Sequence, residues 1–466
     1  MMYRITTIFP CCIVWIICCS CGQPDSKKGE SYPSLTNDGA WCWFSDPRAI
    51  YYEGKYKRTY AGWVDSLGNI VVGFYDHKRD TVETRTLHEH FQKDDHDNPS
   101  LLMDPEGKLM VFYSRHATGN SPIFLARANK AEDISEWEPV GKLRLNDTLA
   151  YAGLSNTYTY ANIVRLSEEN NTLYLFWRGA DFKPNFSVSK DNGHHWEMGK
   201  ILILPERIYR DRRPYLKVAS DDKSVIHFAF TDGHPNVEPT NSIYYAKYRA
   251  GALYKANGVT IKSWSDLPFD PREADLVYDA KATGEKAWVW DVAGSRSGDP
   301  VIVYSRFPSD SSHIYYYATY DKGTWNNYRL VDSGGWFPQT PPGAREREPN
   351  YSGGIVLDHD DPSQVYLSRE KNGIFEIEKW STADNGKTWT STAITENSGR
   401  DNVRPFVVRG HAPDGSEVLW MNIEKYLHYT DFRGAIKVSG HSLPRRSLFK
   451  KSFESAVLKT DAAENE

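Results

Sequence analysis

A short text recurs seven times along this chain: a polar or charged cluster, an extended apolar run, a turn, and a second aromatic-rich run. The first four openings are S-D-P-R-A-I (Ser45–Ile50), D-N-P-S-L-L (Asp97–Leu102), Y-A-N-I-V (Tyr160–Val164) and R-R-P-Y-L (Arg212–Leu216). A-W-V-W (Ala287–Trp290), E-P-N-Y-S-G-G (Glu348–Gly354) and V-R-P-F-V-V (Val403–Val408) complete the set. A second series keeps step, with Trp137, Trp196, Trp264, Trp325 and Trp389 each closing a strand-like segment. Periods of this kind build radial or solenoidal arrays. Seven units of four short strands predict an all-β fold, a seven-bladed β-propeller of four-stranded antiparallel blades. Closure of the ring protects the sheet edges of such a fold.

A length of 466 residues would by itself suggest about three domains of ~150 residues. The repeat instead assigns residues 41–440 to one closed unit. The 29 Tyr and 15 Trp favour strands, and no amphipathic helix of any length is evident. A net charge of −5 with mixed signs lacks the basic face a nucleic-acid partner needs. Turn chemistry separates the strands: D-P-E-G (Asp104–Gly107) lies between Leu101–Met103 and Leu109–Tyr113, a hairpin pattern.

The N-terminus reads as a targeting segment. Arg4 precedes an apolar stretch, Ile5–Ile17, too short to span a bilayer. It ends in C-C-S-C-G, which resembles a bacterial lipobox with Cys21 as the lipidated residue; an ordinary cleaved signal peptide is the alternative. Residues 1–20 are then a lipoprotein signal peptide and 21–40 a flexible tether. The basic, then acidic, segment 441–466 reads as a partly disordered extension. The expected location is the bacterial cell envelope, as an outer-membrane lipoprotein facing the periplasm or the exterior. With the segment before Cys21 removed, Cys42 is the only unmodified cysteine, so no intramolecular disulfide can form.

Two segments match the Asp-box S/T-x-D-x-G-x-x-W: Ser189–Trp196 and Thr382–Trp389, with a shortened form at Asp321–Trp325. In such a box Asp accepts backbone N–H bonds, Gly supplies a positive φ and Trp packs between sheets. Its aspartates are expected to be structural.

Chemistry is expected where the seven first strands converge on the axis. The openings carry Asp46, Arg48, His96, Asn98, Tyr160, Asn162, Arg212, Arg213, Arg347, Asn350 and Arg404. The ends of the second strands add Arg115, His116, Arg178, His234, Arg306 and Arg369. A ring of guanidiniums suits an anion, because Arg forks onto carboxylate or sulfate; a blade-to-blade ion pair is the alternative for each. A hairpin joins His96 to His116 and should bring both imidazoles to one end of a blade. Asp94, Asp95 and Asp97 flank His96 and should orient its ring and raise its pKa. Tyr160 and Arg178 stand in the same relation one blade on. His88 and His90 alternate to one strand face, but no third residue lies at metal-site spacing.

Two reaction classes fit this set. In β-elimination from a uronic acid, a cation neutralises the C6 carboxylate, a Tyr or His takes the C5 proton, and an acid protonates the leaving O4. Glycoside hydrolysis usually needs two carboxyls flanking the bond, and no Asp or Glu stands out at a strand opening as the His, Tyr and Arg residues do.

The segments D-D-H-D-N-P, F-Y-S-R-H, Y-L-F-W-R-G, F-A-F-T-D-G-H-P and S-G-G-I-V-L-D-H-D-D-P resemble the BNR-repeat polysaccharide lyases, a group that includes ulvan lyases and rhamnose–glucuronate lyases. The resemblance runs from W-F-S-D-P-R-A-I to W-M-N-I-E-K-Y-L-H-Y-T-D-F. It implies a seven-bladed propeller that cleaves a rhamnosyl-(1→4)-glucuronate linkage by β-elimination, leaving a 4,5-unsaturated uronate end. Carried over by position, His96 and His116 match the family's histidine pair, Tyr160 its tyrosine and Arg178 its carboxylate-facing arginine. Tyr160 and His96 are then expected to transfer protons, with His116 and Arg178 on the carboxylate. Arg213, Asn162, Tyr215, His234 and Arg347 are expected to bind the sugar chain. The chemistry needs no cofactor; the resemblance allows a structural calcium ion without assigning its ligands. The expected partners are an acidic polysaccharide, sulfated or not, and a membrane reached through the N-terminal lipid anchor. The alternatives are an α-L-rhamnosidase-type hydrolase acting on the same linkage and a non-catalytic glycan-binding propeller.

Overall fold

The computed structural model describes residues 32–119, 121–146, 157–207, 211–412, 415 and 417–440. The expected signal peptide, Cys21, most of the tether and the 441–466 extension lie outside the described residues.

Seven antiparallel sheets follow one another in chain order. Their innermost strands are Ala49–Glu53, Ser100–Met103, Thr159–Leu166, Leu216–Ser220, Lys286–Gly294, Ile355–Leu357 and Asn402–Val407. Each begins within one of the seven repeated openings or within one residue of it, so the repeat register and the blade register coincide. Blades two and four carry extra outer strands. The only α-helix among the described residues is the single turn Ala280–Thr283.

Local chemistry sets each hairpin. In blade two the Asp104 carboxylate accepts from the amides of Glu106 (2.9 Å) and Lys108 (2.8 Å), and Gly107 takes φ +80°. The flanking strands then pair Ser100 with Phe112 and Met103 with Leu109. The Asp-boxes close outer turns as expected. Asp191 accepts from the His195 amide at 2.8 Å, and Asp384 from that of Thr388 at 2.8 Å. Trp196 packs edge-on against Phe112, and Trp389 against Tyr317, each reaching back to the preceding blade.

The ring closes through its N-terminus. Ser34–Thr36 runs antiparallel to Asp431–Val438 as the outermost strand of blade seven. The Tyr32 ring meets Trp420 at 5.0 Å and its hydroxyl donates to the Ile394 carbonyl. The segment expected to be tether therefore belongs to the propeller from Tyr32 onward. A strand of three residues carries too little alternation to register as one in sequence.

The axis itself is filled by a plug, Trp41–Phe44, whose four side chains are at most 1% exposed. Trp43 stacks on Trp290 at 4.2 Å. Residues at four strand entries reach inward to hold the plug. Asn98 accepts from the Cys42 amide at 2.9 Å, and Asn162 donates to the Phe44 carbonyl at 2.8 Å. Lys217 donates to the Trp43 carbonyl, and Arg404 to that of Trp41 at 2.6 Å. A buried carbonyl left unpaired is costly, so polar residues recurring at equivalent entries meet the hydrogen-bonding needs of one inserted segment.

Candidate active site

Above the plug, a pocket of about 190 Å³ opens at the mouth where the strand entries converge. Cys42, Trp43 and Phe44 form its floor. His96 and His116 enter from blade two, Tyr160 from blade three, and Tyr215 and His234 from blade four. Trp288 comes from blade five, Glu348 and Tyr351 from blade six, and Tyr429 from blade seven.

The two histidines are placed by one carboxylate. Asp94 caps the short 3-10 turn Asp95–Asp97 by accepting from the His96 amide at 3.0 Å. Its Oδ1 also meets His96 Nδ1 at 2.6 Å, while Oδ2 meets His116 Nδ1 at 2.8 Å. The His116 amide donates to Asp97 Oδ1 at 2.7 Å, which docks the second-strand end against that turn. The rings consequently stack, with centroids 4.2 Å apart and planes 17° from parallel.

Their electrostatics differ. Burial disfavours charge on His96, but the Cys42 sulfur and the Asp94 carboxylate outweigh it and hold its pKa well above the usual imidazole value. Tyr351 stands 3.2 Å from His96 Nε2, so both ring nitrogens have partners. Burial, reinforced by the neighbouring His96 cation, pushes His116 down to about 4. The stacked pair thus carries one extra proton, resting on His96. The flanking carboxylate raises the pKa of His96 as expected. The depressed value on His116 has no counterpart in the sequence reading, because it follows from the stacking.

Tyr160 sits at a bulge where the pairing steps from Thr159–Arg178 to Asn162–Phe176, and its φ is +62°. A bulge with a left-handed non-glycine residue re-aims a side chain at some backbone cost. Its ring lies 6.1 Å from that of His116 and 5.7 Å from that of His96. Burial raises its hydroxyl well above the usual phenol pKa, although Arg178 pulls the other way. The Arg178 guanidinium lies 4.7 Å from the centroid of the Tyr160 ring and donates to the Tyr215 hydroxyl at 2.7 Å. Among the described residues no carboxylate lies within ion-pair distance of it.

The other expected residues divide. Tyr215 and His234 line the pocket. Burial first, then Arg178, takes His234 down to about 3. Asn162 is only 4% exposed, and its amide is engaged with Phe44, Tyr160 and Asp46, so it braces the plug and is not among the residues lining this pocket. Arg213 and Arg347 are exposed outside the pocket wall, with Arg213 over the Phe182 ring at 4.0 Å. The expected ring of free guanidiniums is largely a set of internal ion pairs. Arg48 pairs with Asp46, Arg404 with Asp95, Arg212 with Asp232, Arg306 with Glu285 and Arg369 with Glu378.

Sequence reasoning missed Glu348, Tyr351, Tyr429 and the plug. Glu348 opens the sixth repeat, so the alignment of openings held the signal; its carboxyl in the pocket corrects the expectation that no Asp or Glu stands out at an opening. His88 packs among Phe91, Tyr113 and Phe124, and no metal-like cluster of described residues includes it or His90. Two clusters of metal-ligand type are present, Asp94–His96–His116 and Asp358–Asp360–His411. Neither offers the six or more oxygens that calcium takes, and in both the histidine nitrogens already meet carboxylates.

A family model described as a BNR repeat-containing family member matches residues 58–333. Among solved structures, the chain is similar to a polysaccharide lyase PL25 ulvan lyase bound to -[GlcA(1-4)Rha3S]-. The TM-score is 0.66 at 13% identity, covering 88% of this chain and 96% of that one. It is also similar to the polysaccharide lyase Uly1, with a TM-score of 0.55 at 11% identity over 88% of this chain and 98% of that one. Likeness at these identities establishes the shared fold. A search of curated proteins returned no match.

Proposed function

The chain belongs to the BNR repeat-containing family, and from that premise we propose that it is a polysaccharide lyase cleaving rhamnosyl-(1→4)-glucuronate linkages by β-elimination. The observation that carries this reading is the Asp94-bridged pair, which sets a cationic His96 against a neutral His116 beside Tyr160 and Arg178. Elimination needs positive charge near the C6 carboxylate, so that the C5 proton becomes acidic, and a neutral base within reach of that proton. His96 and Arg178 supply the charge. His116, with Nδ1 held by Asp94, keeps Nε2 for the proton. This exchanges the histidine roles expected from sequence, because an enclosed imidazolium with both nitrogens engaged is a poor base. Tyr160, neutral at working pH, donates a hydrogen bond to the carboxylate as negative charge builds there.

Hydrolysis fits less well. Glu348 is the only acidic side chain among the residues lining the pocket, whereas hydrolysis usually places two carboxyls about the bond. The reading is tested by incubating the protein with ulvan, gum arabic and rhamnogalacturonan-type polymers and following the ultraviolet absorbance of the conjugated unsaturated uronate. Absorbance rising with chain scission supports it. Reducing ends without absorbance identify a hydrolase, and binding without scission identifies a glycan-binding propeller.

We further propose that the propeller is tethered to the cell envelope through lipid on Cys21. The Cys21→Ser variant should leave the detergent-soluble membrane fraction and appear in the soluble one; an unchanged distribution would contradict the anchor.

A further inference from the structure

Glu348 lines the pocket and has no part in the roles above. Its backbone is fixed in the turn that opens blade six: the amide donates to Glu346 Oε1 at 2.7 Å, and the carbonyl accepts from the Tyr351 amide at 3.0 Å. It reaches the pocket from across the ring, opposite the histidines of blade two and Tyr160 of blade three. One carboxyl oxygen, Oε2, is sealed from solvent and has no hydrogen-bond partner among the described residues. His234 Nε2 is 3.9 Å from it, too far for a hydrogen bond, and that imidazole is neutral. A carboxylate is poorly tolerated with an oxygen buried and unpaired. A neutral carboxyl can leave its carbonyl oxygen in such a place and still present an O–H.

We propose that Glu348 is the general acid that protonates the leaving glycosidic oxygen, an assignment that rests on the elimination reading. His116 Nε2 removes the C5 proton, and the electrons of the C5–H bond form the C4–C5 double bond. The C4–O4 bond breaks with its electron pair on O4, and the proton of Glu348 passes to O4 to give a sugar hydroxyl. His116 leaves the step protonated and Glu348 ionised, and exchange with solvent resets both. Both groups line one small pocket, as the adjacent C5–H and C4–O4 bonds of a single sugar require. Burial lifts Glu348 to about 7, with Glu346 and Asp95 adding to the rise while His96 and Arg347 oppose it. Groups whose environments push their pKa values apart in this way divide naturally into acid and base.

The test compares the natural polymer with a synthetic glucuronate carrying a nitrophenoxy group at C4, which departs without a proton. On the polymer, Glu348→Gln should lower kcat about a hundredfold, the usual scale for a lost general acid, with KM within about threefold. On the activated substrate the same variant should stay within about threefold of the wild type. In the wild type, activity on the polymer should fall as pH rises through about 7, and activity on the activated substrate should not; this comparison needs no variant to fold. A fall of less than threefold on the polymer would overturn the assignment and leave Tyr160 as the proton donor. Equal losses on both substrates would also overturn it, since only a structural role gives that result. If the wild type forms no unsaturated product from any uronate polymer, the elimination reading fails and the acid assignment falls with it.

Discussion

His96 and His116 stack face to face, ring centroids 4.2 Å apart, yet one holds a proton far more tightly than a free imidazole and the other far less. Asp94 makes this possible by meeting each ring at Nδ1 with a different oxygen.

Removing the base should therefore differ from removing the charge. His116→Ala is expected to lower kcat by about 10²–10⁴-fold with KM little changed, and added imidazole should restore part of the rate. His96→Ala should raise KM as well as lower kcat, and imidazole should not restore it. Steady-state kinetics with and without imidazole check both; rescue of His96→Ala instead of His116→Ala would reverse the assignment.

Asp94→Asn removes the carboxylate that places the shared proton on His96. Loss of that charge should lower the His96 pKa and cut kcat/KM by at least about tenfold, consistent with a charged hydrogen bond of about 1.5–3 kcal/mol. Histidine resonances followed by NMR against pH report the change directly; a His96 titration unmoved by the substitution would contradict the bridge.

Arg178 has no carboxylate partner among the described residues, so its charge is available to the substrate. Arg178→Gln should weaken binding of a glucuronate oligosaccharide about tenfold or more, with little effect on the same oligosaccharide after reduction of its carboxyl. Titration calorimetry with the two ligands separates a carboxylate contact from general packing.

Stability should fall on the acid side. His88, His116, His227 and His313 are each depressed to about 4, and His234 to about 3, with burial the largest cause. As pH drops below their ordinary 6.5, the unfolded chain takes up protons that the fold refuses, so ∂ΔG/∂pH is positive there. His96 and His411, raised in the fold, act oppositely and lose their contribution as pH rises through their raised values. The net expectation is a loss on the order of several kcal/mol between pH 6.5 and 4, since each tenfold weakening of proton affinity on folding is worth ~1.4 kcal/mol per group. Denaturant melts across that range check it.

Much of the fold was legible because a propeller repeats. Each opening from Ser45 to Val403 marks an inner strand, and the hairpin between His96 and His116 placed both imidazoles correctly. Two things were not legible. The closing strand Ser34–Thr36 is too short to show alternation, and its partner lies about 400 residues away in sequence. The plug was hidden for a different reason. Asn98, Asn162 and Arg404 look functional at their entries until Trp41–Phe44 is seen to occupy the axis between them. The position of Glu348 at a repeat opening was legible, but the burial and missing partner that set it apart from other acidic residues are not displayed by a sequence.

That closing strand carries its own consequence. Deletion through Thr36 removes the edge pairing with Asp431–Val438 and the Tyr32–Trp420 contact, and should lower Tm by roughly 2–5 °C, a scale corresponding to a few kcal/mol in a domain of this size. A melting temperature unchanged by the deletion would mean that blade seven holds without it.

The central claim is that the bond breaks by elimination, and the fate of solvent oxygen tests it most directly. Digestion of a glucuronate polymer in water labelled with heavy oxygen, followed by mass spectrometry of the fragments, separates the two chemistries. Elimination predicts no label in any new end and an unsaturated uronate lighter by one water than its hydrolytic counterpart. One labelled oxygen per bond broken, at the new reducing end and on saturated fragments, would contradict the account.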